Sequence, residues 1–263
     1  MRIALALEYD GSRFLGWQTQ PGGGTVQDAL EAALAAIADA PVAATCAGRT
    51  DRGVHARAQV AHFDTDARRP LSAWVRGVNA LLPESVAVLW AHPVPPEFHA
   101  RYAARARSYR YVLLNRPVRP ALAARYAGWT HAPLDVAAMR AAAGRLLGEH
   151  DFSAFRSAEC QAKSAVRTLQ AVQVERRGER VDFVLRANAL LHHMVRNIVG
   201  TLVQVGRGRR APEWAGEVLE SRDRARAAPT FGAEGLYLEA VEYEARWALP
   251  EPAAGAPALP VEP

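Results

Sequence analysis

The 263-residue chain holds only two cysteines, Cys46 and Cys160, and a single lysine, Lys163. Two cysteines without CxxC spacing build neither a disulfide framework nor a cysteine zinc site, and both read as reduced, packed thiols. No apolar run approaches the roughly 20 residues that cross a bilayer. The opening Met1-Arg2-Ile3-Ala4-Leu5 passes straight into a strand-like segment without signal-peptide anatomy, so the expectation is a cytoplasmic protein with no membrane span. The eight histidines never form HExxH, and His192-His193 have no cysteine or carboxylate at ligand spacing, so no metal is expected. Gly22 to Gly24 lack the lysine of a phosphate-binding loop and no GxGxxG follows the first strand, which leaves no expected nucleotide cofactor.

Half of the residues are apolar and 22% are charged, the make-up of an ordinary globular protein able to bury a core. The net charge of +5 and a pI near 9.6 admit a polyanionic partner. Arginine supplies almost all of that charge beside abundant alanine, a pattern of compositional drift. Charge alone therefore lifts the nucleic-acid reading only modestly, and position has to carry the rest.

Hydrophobic spacing divides the chain into strands and helices. Residues 2–9 alternate as a strand and stop at the turn Asp10-Gly11. Thr25 is a good N-cap for a helix with Val26, Leu30, Ala33, Leu34 and Ile37 on one face. Strands over 42–47 and 54–64 flank the loop Gly48 to Gly53. A helix over about 70–82, a strand over 85–91 and a long strand-like stretch over about 98–115 follow. The second half reads as a helix over 135–149, a hairpin of 166–175 and 180–187 turning at Arg177-Gly178-Glu179, helices near 190–205 and 212–221, and a last strand from Leu236 to Tyr243. This is an α+β pattern with mostly antiparallel sheet. A division near 105 gives halves of 1–105 and 106–247, and the Pro/Ala-rich residues 248–263 read as disordered.

Three segments stand out. In Gly48-Arg49-Thr50-Asp51-Arg52-Gly53-Val54-His55, one carboxylate sits on a strand-to-strand loop between two arginines. It either orders the turn and pairs with them, or is held ionised for nucleophilic or base chemistry. Spacing leaves that choice open. The stretch from Phe98 through Arg101, Tyr102, Arg105, Arg107, Tyr109 and Tyr111 interleaves aromatics with arginine. That pattern suits RNA, since bases stack on rings and guanidiniums meet phosphates, and equally suits a half-buried strand with snorkelling arginines. In a regular strand Arg105, Arg107, Tyr109 and Tyr111 share one face. From Leu191 to Gln204, an apolar stripe of Leu191, Met194, Val195, Ile198, Val199, Leu202 and Val203 opposes His193, Arg196, Asn197, Gly200 and Gln204. That second side is a solvated face, or a second buried one on which Gly200 permits close packing and Arg196 reaches a carboxylate.

Taken in order, EYDGSRFLGWQTQ, TVQDALE, AGRTDRGVHA, FHARY, SYRYVLLN, LLGEHDFSAF, ANALLHHMVRNIVGTL and AEGLYL resemble the TruA family of tRNA pseudouridine synthases over nearly the whole chain, about residues 2 to 247. GRTD-GVH is the most specific of these, and Arg52 falls where the family pattern varies. The resemblance implies a pseudouridine synthase fold of two ferredoxin-like halves around a basic cleft, working as a homodimer on tRNA without a cofactor. It implies uridines 38, 39 and 40 of the anticodon stem-loop as the substrate. Register places Asp51 at the catalytic aspartate, Arg196 at its ion-pair partner, Arg49 at the residue that assists base extrusion, and Tyr109 at the ring that stacks on the target uracil. Arg69, then Phe98, His99, Ala100, Arg101 and Tyr102, then Glu159, Cys160, Gln161, Ala162 and Lys163 fall at tRNA-contact positions.

Two rivals remain at this stage. A non-catalytic RNA-binding or RNA-folding protein on the same scaffold would share the basic strand and not need Asp51. A metal-independent RNA hydrolase would need a general acid–base pair, and no histidine can be paired with Asp51 from the sequence.

Overall fold

A computed structural model describes residues 1–250; most of the tail expected to be disordered, 251–263, lies outside the described residues. Ten strands and four helices follow one another along the chain: β1 (Arg2–Tyr9), α1 (Val26–Ala38), β2 (Ala44–Cys46), β3 (His55–Asp64), β4 (Val86–Val94), β5 (Ala106–Asn115), β6 (Gly128–Thr130), α2 (Val136–Gly144), β7 (Gly148–Asp151), β8 (Val166–Arg177), β9 (Arg180–Ala187), α3 (Met194–Gly206), α4 (Trp214–Ser221) and β10 (Leu236–Glu242). The fold is α+β, and most strand pairs run antiparallel. Two compact units result, one of Met1–Arg105 with the described chain from Tyr237, the other of Ala106–Leu236. Residues 237–247, expected with the second half, pack in the first because Tyr237 and Leu238 of β10 pair in parallel with His55 and Ala56 of β3.

In the first unit the strand order is β4-β1-β3-β10, with β2 on the far end of β3. Ile3 to Leu7 of β1 are all buried, because β1 is flanked by β3 and β4 and covered on both faces. Ile3, Leu5 and Leu7 share a face with Phe63, whose ring packs on Trp74 at 5.1 Å. The other face carries Ala4, Val60, Val94, Phe98, Ala100 and Trp247 in one cluster. Thr25 and Asp28 cap α1 reciprocally, side chain to backbone at both ends of the box, which satisfies two of the free amides of its first turn. The helix expected over 70–82 is present but loosened, with a π turn over Ala73–Gly77 at its centre.

The stretch 98–115 is not one strand. Residues 95–105 form turns and β5 begins only at Ala106. Phe98 is drawn into the core, 5.3 Å from both Tyr243 and Trp247, and burying such a ring gains about 1.5–3 kcal/mol. That long-range burial overrides the local strand pattern. Arg105 consequently falls outside the shared face, while Arg107, Tyr109 and Tyr111 keep it, opposite Ala187, Leu185 and Phe183 of β9.

In the second unit β5 pairs with β6 and β9, β9 with β8, and β8 with β7. The hairpin of β8 and β9 turns where expected, with Arg177 opposite Arg180. The helix expected over 135–149 is shorter: α2 stops at Gly144, and Gly148, at a positive φ of 107°, turns the chain into β7. Tyr111 and Phe183 meet edge to face at 6.3 Å on the side of the sheet that carries Val181, Leu185 and Val174, all buried. No helix among the described residues is long and apolar enough to cross a membrane.

Candidate active site

Asp51 lies half-buried in the loop between β2 and β3, and buried hydrogen bonds hold the loop on both sides of it. The Gln59 side chain, fully buried on β3, accepts from the Gly48 amide at 3.3 Å and donates to the Gly48 carbonyl at 2.6 Å. The same amide group reaches the Tyr9 hydroxyl at 3.3 Å, which bonds the Thr50 hydroxyl at 2.8 Å. The Thr50 carbonyl accepts from the Trp17 amide at 3.0 Å, and the Asp51 carbonyl closes a turn onto the Val54 amide at 3.1 Å. Gly16 lets this happen: its φ is 101°, and a β-carbon there would stand 2.7 Å from the Thr50 carbonyl oxygen and 3.1 Å from the Asp51 backbone. The backbone of the carboxylate is thus fixed by groups from β1, β3 and the 16–17 turn, the rigidity a reacting side chain requires.

The flanking arginines do not pin Asp51. Arg49 and Arg52 are exposed, and among the described residues neither forms an ion pair. Arg49 and Arg52 thus point their charge to the outside of a turn that the Asp51 carbonyl closes. His55, at the end of the motif, has a structural place: its ring stacks on Tyr237 at 4.7 Å, and its Nδ1 lies 3.1 Å from the Gly11 amide and 3.2 Å from Asp10. Burial works against an ionised Asp10, yet hydrogen bonds from His55 and Ser12 outweigh it and hold the carboxyl well below the usual carboxylate range.

The segment Phe98 to Tyr102 divides by burial. Phe98 and Ala100 are core, His99 is half-buried, and Arg101 and Tyr102 are exposed. His99 Nδ1 accepts the amides of Arg101 and Tyr102 at 3.2 and 3.3 Å, and its ring lies 4.3 Å from Tyr102. Beneath it, His62 Nδ1 accepts the Ala100 amide at 3.2 Å. Burial, with the nearby His99 and Arg2, pushes the His62 ring down to about 4, and burial with Arg2 also lowers His99. Both rings are therefore neutral acceptors at neutral pH, as their bonds require. Arg69 is exposed and donates through Nε to the Ile37 carbonyl at the end of α1, 3.0 Å away.

In the second unit Tyr109 stands on the face of β5 that also carries Tyr111, opposite Leu185, and is largely buried. Arg196, in the first turn of α3, donates through Nε to the Phe231 carbonyl at 2.8 Å. The face of α3 that carries it is a second buried face: Asn197, Gly200 and Thr201 are all covered. A β-carbon on Gly200 would stand 2.5 Å from the Pro229 carbonyl oxygen, so glycine there admits the 228–231 segment. Asn197 ties the assembly together. It donates to the Phe155 carbonyl at 2.8 Å and accepts from Thr230 at 2.7 Å and Arg224 at 3.1 Å. The loop Glu159 to Lys163 is mostly exposed, braced by Arg156 donating to the Cys160 carbonyl at 2.6 Å.

The two thiols differ, which corrects the expectation that both are packed. Cys46 is buried, and burial pushes its thiol up to about 12. Cys160 is half-buried on that loop; burial raises its thiol, but backbone amides of Ala162 and His192 prevail and lower it. Gln59 went unnoticed in the sequence, and Asn197 stood out there only as part of the helix's second face, without its partners. The one available signal was an amide inside a run of apolar residues, at Asn197 especially.

A loop-borne carboxylate on a rigid support, with the exposed Arg49 and Arg52 beside it, is an arrangement able to do nucleophile or acid–base chemistry, the equipment of an enzyme. The family model for tRNA pseudouridine synthase matches residues 5–103 and 142–244. The protein called tRNA pseudouridine synthase A in Dechloromonas aromatica is 58% identical over 96% of this chain and 96% of its own. Those of Thiobacillus denitrificans and Burkholderia thailandensis are 61% and 60% identical over 95% of this chain, and 96% and 93% of their own. The chain belongs to the tRNA pseudouridine synthase family, and the reaction it carries out is an isomerisation.

Proposed function

We propose that the protein converts uridine to pseudouridine at positions 38, 39 and 40 of the tRNA anticodon stem-loop, with Asp51 as the single catalytic carboxylate. The loop that presents Asp51, clamped by Gln59, Tyr9 and the close approach of Gly16, is the observation that supports this most strongly. The reaction breaks C1′–N1, turns the uracil and forms C1′–C5, while the proton leaving C5 is matched by one gained at N1. Nothing is oxidised and no group passes between molecules, so the chemistry calls for no cofactor or metal. An ionised Asp51 serves by attack on C1′ or C6, or by taking a proton from the sugar.

The target base has to leave its stack, at a cost of a few kcal/mol that contacts in the site must repay. Arg49, exposed beside Asp51, is suited to fill the vacated space. Tyr109 holds the extruded ring, and Arg196 is the cation that keeps Asp51 charged and aimed. Arg69, Phe98 to Tyr102 and Glu159 to Lys163 form the tRNA-contacting segments, in which Phe98 and Ala100 position the backbone and Arg101 and Tyr102 offer side chains. The protein acts in the cytoplasm as a homodimer.

The test is an unmodified tRNA transcript carrying uridines in its anticodon stem-loop, with pseudouridine mapped by carbodiimide labelling and primer extension. Stops at those uridines with the native protein, lost at least about a thousandfold in Asp51→Ala, are expected. Tight tRNA binding with no stops, or turnover in Asp51→Ala within tenfold of native, would overturn the assignment.

A further inference from the structure

The second unit has an end that its proposed catalytic residues do not use. Tyr109 and Arg196 lie near the starts of β5 and α3, whereas the C-terminal ends of both elements meet at Thr130. The Thr130 carbonyl accepts the Arg116 amide at 3.2 Å, and its hydroxyl bonds the Arg207 guanidinium at 2.5 Å. Six residues of strand separate Tyr109 from Asn115, roughly 20 Å, and eleven of helix separate Arg196 from Arg207, about 16 Å.

Positive charge at this end exceeds the acids that face it. Glu179 pairs with Arg116 at 3.4 Å, Glu213 is held by Arg145 at 2.5 Å, and Asp135 accepts the Ala138 amide at 3.0 Å as the cap of α2. Among the described residues no carboxylate pairs with Arg119, Arg207, Arg209 or Arg210. Arg119, Arg209 and Arg210 are exposed. Arg207 Nε is buried and bonds nothing among the described residues, while burial and then the neighbouring charge of Arg209 lower its basicity. Arg207 meets the Arg116 end of β5 through Thr130, Arg209 and Arg210 follow it along the chain, and Arg119 lies three residues past Arg116. Guanidiniums so placed without paired acids repel until an anion joins them. Planar faces stand beside them: Trp129 lies 5.8 Å from the exposed His131, and Arg210 sits over Trp214 at 5.1 Å.

We propose that Arg119, Arg207, Arg209 and Arg210, with Arg116 at their edge, bind the phosphate backbone of the substrate tRNA outside its anticodon stem-loop. This rests on the reading of the protein as a tRNA-modifying enzyme. A guanidinium fork matches phosphate oxygens bidentately, and a cluster of such forks 16–20 Å from Tyr109 and Arg196 grips a different stretch of backbone from the one that carries the target. The contact adds affinity without reading sequence.

The test uses the full chain with Arg209→Gln/Arg210→Gln, both exposed, and Arg76→Gln on the first unit as a control for lost charge. Each is titrated against whole tRNA and against the isolated anticodon stem-loop at several salt concentrations. The double variant is expected to bind whole tRNA about tenfold more weakly, with a log–log salt slope shallower by about two. Stem-loop affinity should move no more than it does in Arg76→Gln. Arg209→Lys/Arg210→Lys should recover most of the loss. Equal losses on whole tRNA and stem-loop would overturn the proposal, as would a whole-tRNA loss no larger than that of Arg76→Gln. Isomerisation of the stem-loop by the native protein reports separately on the reading beneath it.

Discussion

At the scale of single residues, the site depends on side chains that do no chemistry themselves. Gly16 is the sharpest case, because its φ of 101° and the proximity of the Thr50 carbonyl leave no room for a methyl group. Gly16→Ala should destabilise the protein by roughly 1–3 kcal/mol, and should lower kcat more than tRNA affinity by displacing the Asp51 loop. Thermal melts and single-turnover isomerisation read both effects; native kcat in a folded variant would show the loop does not need this support. Tyr109 tests a different property. If its face holds the uracil, Tyr109→Ala should lose about 1–3 kcal/mol of base stacking, roughly 5- to 150-fold in kcat/KM. Tyr109→Phe should lose far less; equal losses would assign the work to the hydroxyl. The sequence revealed Asp51 and Tyr109 as candidates because each sits in an unusual local pattern. It concealed Gln59 and the partners of Asn197, since an amide's role is set by what the fold brings to it, here from up to 50 and 42 residues away.

At the scale of elements, helix and strand identities followed from spacing wherever the contacts that make them are local. Thr25 capped α1, and the β8–β9 hairpin turned at its glycine. The failures came where distant packing or glycine prevailed: Phe98 left its strand pattern for Tyr243 and Trp247, and α2 stopped at Gly144. The 98–102 turn also carries a titration. His62 is surrounded by His99, Arg2, Asp64 and the Thr45 backbone, and sits at about 4 against an ordinary 6.5. Above 6.5 both folded and unfolded chains hold the ring neutral, so pH has no leverage through it. Between 6.5 and about 4 the unfolded chain takes up a proton that the fold refuses, and stability falls as acid is added. His62→Asn keeps an acceptor near the Ala100 amide and removes the titration. Its melting temperature should fall less steeply than the native one from pH 6.5 to 4.5; parallel curves would exclude His62 as the cause.

At the scale of the whole molecule, the chemistry assigned to Asp51 asks for no bound group. Isomerisation should therefore persist within about twofold after EDTA treatment and desalting, since an isomerisation of this kind has no Lewis-acid step to lose. Inhibition reversed by added Mg²⁺ or Zn²⁺ would place a metal in the mechanism. The order of the strands along the chain governs how the protein is made. The strand that pairs with His55, at the end of the GRTD-GVH motif, is supplied by Tyr237 and Leu238. A ribosome adding about 5–20 residues each second must thread roughly 130 residues of the second unit between Arg105 and Tyr237, about 7–26 s of synthesis. Throughout that interval the emerging half has its GRTD loop but not the strand that closes the sheet beside it. Asp51 is translated early and its surroundings are finished late, so a prematurely terminated chain carries Asp51 without the strand that completes its setting.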